Sequence, residues 1–192
     1  MEPLAAMDSL MLAGETLGSA MHVGVLLILS PPPDAGPDYL EDLYRDSLIG
    51  PHRLDPRLRR HPHRGLDTGG VWMWRDAAEV DLRRHVRRVT LPAGSGHDAL
   101  WRLVSELHSE RLEMAAPLWC SWLVDGLADG RFALYIKVHH MVIDGVGGLR
   151  MISDSLSTDP ADREMPPFYA DRGEAVEAPA EPHRRRWRLP DP

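Results

Sequence analysis

Residues 131–148, RFALYIKVHHMVIDGVGG, run from a strict alternation into a glycine-rich turn. Phe132, Leu134, Ile136 and Val138 interleave with Ala133, Tyr135 and Lys137, the two-residue period of a strand. Past the turn, Val146, Leu149, Ile152 and Leu156 have helical spacing, which predicts a helix. Upstream, MHVGVLLIL (21–29) is almost unbroken in apolar character and predicts a strand buried on both faces. A short helix over 7–13 precedes it, with Asp8 or Ser9 near its start, and Pro31 to Pro33 end it. Tyr39, Leu40, Leu43, Tyr44 and Leu48 then share one helical face, opposite Glu41, Asp42, Arg45 and Asp46, and Gly50-Pro51 closes that helix.

Val71 to Trp74 and Asp81 to Leu91 read as further strands, the second with a charged edge. Leu100, Leu103, Val104, Leu107 and Leu112 mark the buried stripe of a helix that Pro117 breaks. Leu118–Val124 and Arg131–His139 pair as a hairpin across Asp125–Gly130. Strands interspersed with helices predict a mixed α/β (α+β) domain, with helices packed on a mixed sheet. This domain extends over 1–157. Residues 158–192 are rich in Pro, Asp, Glu and Ala with few apolar anchors, and read as a linker-like or disordered tail.

Composition narrows the picture. A chain of 192 residues, 43% hydrophobic, can bury a real core and fits one domain or at most two small ones. A net charge of −7 argues against a nucleic-acid binder. Cys120 is alone, which excludes an internal disulfide and suits a reducing compartment; it reads as a small core residue beside Trp119. No secretory signal is visible at the N-terminus, and no apolar run approaches the roughly 20 residues of a membrane-spanning helix. The expectation is a cytoplasmic protein, soluble or bound at most to a membrane or lipid-droplet surface.

The chemistry concentrates in His139-His140-Met141-Val142-Ile143-Asp144-Gly145, at the point where a strand leaves its sheet. A neutral imidazole there can take a proton near pH 7. Asp144 can hold the turn rigid or steer a ring, and Gly145 with Gly147 and Gly148 permits a sharp bend. No serine or cysteine stands at motif spacing to act as nucleophile. A base without its own nucleophile points to direct transfer onto a second substrate that the base deprotonates. The competing reading is a core histidine pair followed by a helix-capping aspartate. Adjacent strand residues point to opposite faces, so the pair is not expected to hold a metal ion. His22 and His108 read as packed, hydrogen-bonded histidines.

The HHMVIDG segment resembles the active-site motif of acyltransferases with the chloramphenicol-acetyltransferase-like fold. DSLMLAGETLGSAMHVGVLLIL (8–29), PLW (117–119), DGLADGRFALYIKVHH (125–140) and DGVGG (144–148) resemble, in order, the bacterial wax ester synthase/diacylglycerol acyltransferase family. The resemblance covers roughly residues 4–157. It implies the N-terminal lobe of a two-lobed enzyme that moves a fatty acyl group from acyl-coenzyme A to the hydroxyl of diacylglycerol or a long-chain alcohol. Acyl-coenzyme A would be a co-substrate, with no resident cofactor and no assigned cofactor-binding residues. His140 would be the general base. His139 would support the loop and the tautomer, Asp144 would hold the turn through an unidentified arginine, and Gly145 would supply backbone freedom. Gly24 would leave space for an acyl chain.

Members of that family carry a second lobe that supplies the other tunnel wall. A C-terminal lobe or self-association is therefore the expected partner, and a catalytically incomplete lobe that binds lipid or a partner is the alternative function. A condensation domain that forms amides is a third, weaker reading. Arg53, Arg57, Arg59, Arg60 and Arg64, set among three histidines, read either as a solvated loop or as a patch for coenzyme A phosphates or lipid headgroups. His183 to Arg188 reads either as a solvated tail or as an anionic-membrane contact.

Overall fold

The computed structural model describes residues 1–50, 52–159, 161–163 and 165–173. Strand β1 (Glu2–Pro3), helix α1 (Ala6–Thr16), strand β2 (His22–Leu29) and helix α2 (Tyr39–Ile49) come first. A 3-10 turn (Pro56–Arg59) leads into β3 (Arg60–His63) and then β4 (Met73–Asp76). A short helix α3 (Leu82–His85) precedes β5 (Val86–Ser95) and α4 (His97–Ser109). The chain continues through β6 (Trp119–Leu127), β7 (Phe132–His139) and α5 (Gly145–Ser153). Two sheets result: an antiparallel one in the order β1-β4-β3, and a mixed one in the order β2-β7-β6-β5. In the second, β5 and β6 run parallel and the other pairs antiparallel. The architecture is mixed α/β, with helices on both faces of the larger sheet.

The alternation in β7 explains those two faces. Ile136 and Val138 enter a cluster with Trp119, Ile143, Met151, Ile152, Phe168 and Tyr169. Ala133 and Tyr135 enter the opposite cluster with Leu100, Val104 and Leu107 of α4 and Trp122 of β6. Strand β7 is thus buried on both sides. Its Lys137 follows the α4 face, where a bare ammonium would be costly. It is satisfied by donating to the carbonyls of Leu107 and Glu110 at the C-terminal end of α4. A cation suits the negative pole of that helix, although burial still pulls the Lys137 pKa down.

Several expectations are corrected. Strand β2 is not buried on both faces; it is the edge of its sheet, and its residues are mostly half-buried. An apolar run looks the same at an edge as in the middle, so composition could not separate the two. The segment 81–91 opens as a helical turn, because Asp81 caps it by accepting from Arg83 N–H, and only then becomes β5. Strand β5 also runs on past Leu91 to Ser95. Helix α4 stops at Ser109, and Leu112 packs in a third cluster with Leu12, Trp74, Leu118 and Met141. In α5, Met151 and Ile152 are buried, but Val146 and Leu149 are 63% and 64% exposed. In the stretch read as tail, Phe168, Tyr169 and Ala170 are buried, with Tyr169 stacked on Trp119 at 5.4 Å. The cluster at 183–188 lies outside the described residues.

Gly126 of β6 shows what close packing demands. Its φ is +89°, and a Cβ there would lie 2.3 Å from the Leu91 carbonyl oxygen. Gly126→Ala is expected to destabilise by at least about 1 kcal/mol from the left-handed backbone alone. Gly36→Ala, where a Cβ meets nothing within 4 Å, should stay within about 0.5 kcal/mol. Urea unfolding of the two variants checks this; equal midpoints would contradict it.

Candidate active site

The β2–β7 ladder brings the polar groups together. His22 stands opposite His139 in register, and one residue further the His140 N–H donates to the Met21 carbonyl at 2.8 Å. His139 is fully buried. Its Nδ1 accepts the Met141 N–H at 3.2 Å, and its carbonyl accepts the Val142 N–H at 2.9 Å. The ring therefore shapes the loop that follows it. With Nδ1 accepting, the neutral ring carries its proton on Nε2, and that nitrogen is buried without a partner. His140 is half-buried, and its Nδ1 is also buried and unpaired.

His22 and His108 extend the cluster. His22 Nε2 bonds the His108 carbonyl at 2.7 Å, and the two rings meet edge to face at 4.7 Å. His108 Nδ1 bonds the Tyr135 hydroxyl at 2.7 Å. That hydroxyl would lie 2.6 Å from a Cβ at residue 24. Gly24 therefore makes room for Tyr135. Glu15, on the last turn of α1, is the member that sequence reading missed. Its side chain is 4% exposed, and Oε2 accepts the Met21 N–H at 2.8 Å. A glutamate near a helix end reads as solvent-facing, and only the folded chain brings its carboxylate onto the Met21 N–H.

Asp144 is the N-cap of α5 and accepts the Gly147 N–H at 2.6 Å. Among the described residues no arginine bonds it. The Arg57 guanidinium is held above its ordinary pKa first by Asp55, which it grips at 2.6 Å, and only distantly by Asp144. Gly145 has no left-handed φ, and a Cβ there would meet nothing within 4 Å. The tight approaches fall instead at Gly147, 3.0 Å from Asp144 Oδ1, and at Gly148, 3.3 Å from Ile143. A cleft of about 460 Å³ beside the loop is bordered by Asp8, Arg57, Arg60, Trp74, Met141 and Val142, but by neither histidine. Among the described residues no group of three or more His, Cys, Asp or Glu is arranged to hold an ion. None of their helices is long and apolar enough to cross a membrane.

Two outcomes follow from this geometry. Burial holds His22, His85 and His139 below the ordinary imidazole pKa, which is about 6.5. Above that value neither state holds the proton. Below it the unfolded chain takes up protons that the folded chain refuses, so stability falls with falling pH. The urea midpoint should be lower at pH 5.5 than at pH 7.5; a flat or rising midpoint would contradict buried neutral rings. Loss of the cap in Asp144→Ala should cost about 1 kcal/mol, while Asp144→Asn, which keeps a capping oxygen, should cost little. Equal losses in both variants would mean that charge, not capping, is what the position needs.

The wax ester synthase/diacylglycerol acyltransferase catalytic-domain family matches the chain over residues 4–190. A putative diacylglycerol O-acyltransferase of Mycobacterium tuberculosis is 42% identical over 167 residues, 87% of this chain and 33% of its own length. A probable diacylglycerol O-acyltransferase of the same species is 38% identical over 82% of this chain and 35% of its own length. The chain thus spans about a third of the length of these relatives. The wax ester synthase/diacylglycerol acyltransferase of Marinobacter aquaeolei VT8 superposes with a TM-score of 0.82 at 32% identity, over 93% of this chain and 42% of that one. The starter condensation domain of rhizomide synthetase superposes at 0.58 with 16% identity, over 80% of this chain and 35% of that one, which shows a shared fold alone. The chain belongs to the wax ester synthase/diacylglycerol acyltransferase catalytic-domain family.

Proposed function

We propose that this chain carries the catalytic-base half of an acyltransferase that moves a fatty acyl group from acyl-coenzyme A to the hydroxyl of diacylglycerol or a long-chain alcohol. The observation that carries the reading is the histidine pair at the end of β7, held by backbone bonds and left with unpaired ring nitrogens inside a family of acyltransferases. His140 accepts the hydroxyl proton as the alcohol oxygen attacks the thioester carbonyl. The tetrahedral intermediate then expels the thiolate, which takes the proton back from the imidazolium, leaving ester, free thiol and neutral His140. His139 fixes the loop through Nδ1, and Asp144 fixes the start of α5. In this reading the rest of the relatives' length supplies the second wall that excludes water and aligns the substrates. Contact with a membrane or lipid droplet, where the acceptor resides, belongs to the same proposal.

One observation favours a second reading. Val146 and Leu149 project exposed apolar surface from α5, immediately after the histidine loop. Such a surface suits a lobe that binds lipid or a partner without turning over.

The experiment is transfer of labelled acyl from acyl-coenzyme A to diacylglycerol or hexadecanol. The chain is assayed alone and together with the remaining two-thirds of its Mycobacterium relative. Transfer is expected in the combined sample, with His140→Ala about 100- to 10,000-fold slower. Binding without transfer in either sample would favour the second reading. Transfer undiminished by His140→Ala would remove His140 as the base.

A further inference from the structure

We infer that the open edge of β2 is completed by an extended strand from the remaining two-thirds of the relatives' polypeptide, laid beside His22 to Ile28. The inference rests on reading this chain as one part of a larger acyltransferase, and it names the surface through which the other part is held. In an antiparallel ladder, residues that exchange main-chain bonds alternate with residues that face away. The His139 N–H donates to Leu118 on the β6 side at 2.9 Å, and the His140 N–H donates to Met21 at 2.8 Å, in the pair that extends the β2–β7 register. Successive residues of β7 therefore serve opposite neighbours. Val138, Ile136, Leu134 and Phe132 bond toward β2, where Val23, Val25, Leu27 and Leu29 meet them. The intervening His22, Gly24, Leu26 and Ile28 turn both N–H and C=O away from β7, onto the open edge. No turn, loop or cap bond among the described residues reaches these groups.

The two edges of this sheet are built differently. Strand β5, at the far edge, carries Arg87 and Arg88, a proline at Pro92 and a register shift between Thr90 and Ser95. Charge, proline and irregularity are what keep an exposed edge from pairing. Between Met21 and Leu29 there is no Lys, Arg, Asp, Glu or Pro, and the register with β7 runs without a break. The β2 side chains do not guard the edge either. Leu26 and Ile28 turn into the α4 core, and Val25 and Leu27 into the opposite one. The His22 ring is likewise drawn inward, onto the His108 carbonyl. A regular, uncharged edge is a template for another strand.

The occupant follows from how much polypeptide lies elsewhere. This chain spans 33% and 35% of the two Mycobacterium relatives and 42% of the Marinobacter enzyme. Most of each relative's length is therefore at hand to supply the strand, and an edge without charge takes an apolar one. The placement bears on the site. Val23, 39% exposed, and Gly24 are the exposed residues of β2, so the end nearest the histidines is the least covered. A strand seated there stiffens Met21 and His22, which meet His140 and His139 respectively. The part that walls the site thus also steadies the backbone that carries the proton-transfer pair.

Amide exchange followed residue by residue by NMR tests this, with no acyl transfer required. In the chain alone, the amides of His22, Gly24, Leu26 and Ile28 should exchange at least about 10-fold faster than those of Val23, Val25, Leu27 and Leu29. Adding the remaining two-thirds of the Mycobacterium relative should slow the first set to the level of the second. Val23→Lys puts a charge on the edge at a residue outside the apolar clusters, and should reduce that protection about 10-fold, whereas the uncharged Val23→Thr should keep it. Free exchange at the four edge amides in the combined sample, whether or not the two polypeptides associate, overturns the inference. Protection undiminished by Val23→Lys does the same. Edge protection in the chain alone that grows with its concentration also overturns it, because the occupant would then be a second copy. Edge protection in a combined sample that never transfers acyl groups keeps the strand pairing and removes the proposed reaction.

Discussion

Eight antiparallel residue pairs join β2 to β7, from Leu29 opposite Phe132 to His22 opposite His139. The chemistry of this lobe hangs on that register. A slip of one residue would turn every β2 side chain to the other face. Leu26 and Ile28 would leave the α4 core, and Val25 and Leu27 would leave the opposite one. His22 would lose the His108 carbonyl, and the Met21 carbonyl would no longer meet the His140 N–H. The apolar pattern of two strands thus fixes, to within one residue, where an imidazole pair sits. Hydrophobic burial supplies the driving force, and the polar end of the ladder inherits its precision.

That polar end is a costly thing to bury, and the structure compensates along one line. The α4 face of β7 carries Tyr135, Lys137 and His139 in succession, where an ordinary core strand would carry aliphatics. Each is met by α4 or by the edge strand. The Tyr135 hydroxyl bonds His108, Lys137 caps the end of α4, and His139 faces His22. The Tyr135 and Lys137 contacts are satisfied and rigidify this face, whereas His139 keeps a buried Nε2 without a partner. Lys137 is the clearest case: two carbonyls at the negative pole of a helix replace its water. The helix that supplies them also supplies His108, so packing and polar pairing use the same element.

Much of this was legible in the sequence. The alternation of β7, the hairpin with β6, the amphipathic faces of α2 and α4, and the helix after the glycines all follow from periodicity. The motif segments marked the family, and the match over 4–190 extends well past the residues they covered. What was not legible depends on tertiary contact. The edge position of β2 left no trace in an apolar run that could equally be central. Phe168 and Tyr169 form a two-residue anchor amid prolines, too short to carry a period, yet they pack on Trp119. Within the candidate site, His139 and His140 were visible as a pair, but the division of labour between their nitrogens depends on Met141 and Met21 backbone groups that no motif encodes. Glu15 was invisible for a related reason: its carboxylate meets the Met21 N–H across the turn at Gly18, which the helical pattern around Glu15 does not encode.

The loop between the histidines and α5 shows how little chain is needed to hold such a site. From His139 to Gly148 the backbone is fastened at both ends. Met141 and Val142 donate back to His139, and Gly147 and Gly148 donate back to Asp144. Between those two clamps, Met141 and Ile143 are buried in two different clusters, so the loop is also pinned from beneath. His140 itself has only its amide bond to Met21, and its ring is half-buried. The neighbours are held by these bonds, and the one residue between them keeps a half-buried ring. In the proposed acyl transfer, a base that first accepts and then returns a proton benefits from a fixed backbone more than from a fixed ring, because the ring faces the alcohol oxygen in one step and the thiolate in the next. The clamps at His139 and Asp144 supply the first condition and leave the second open.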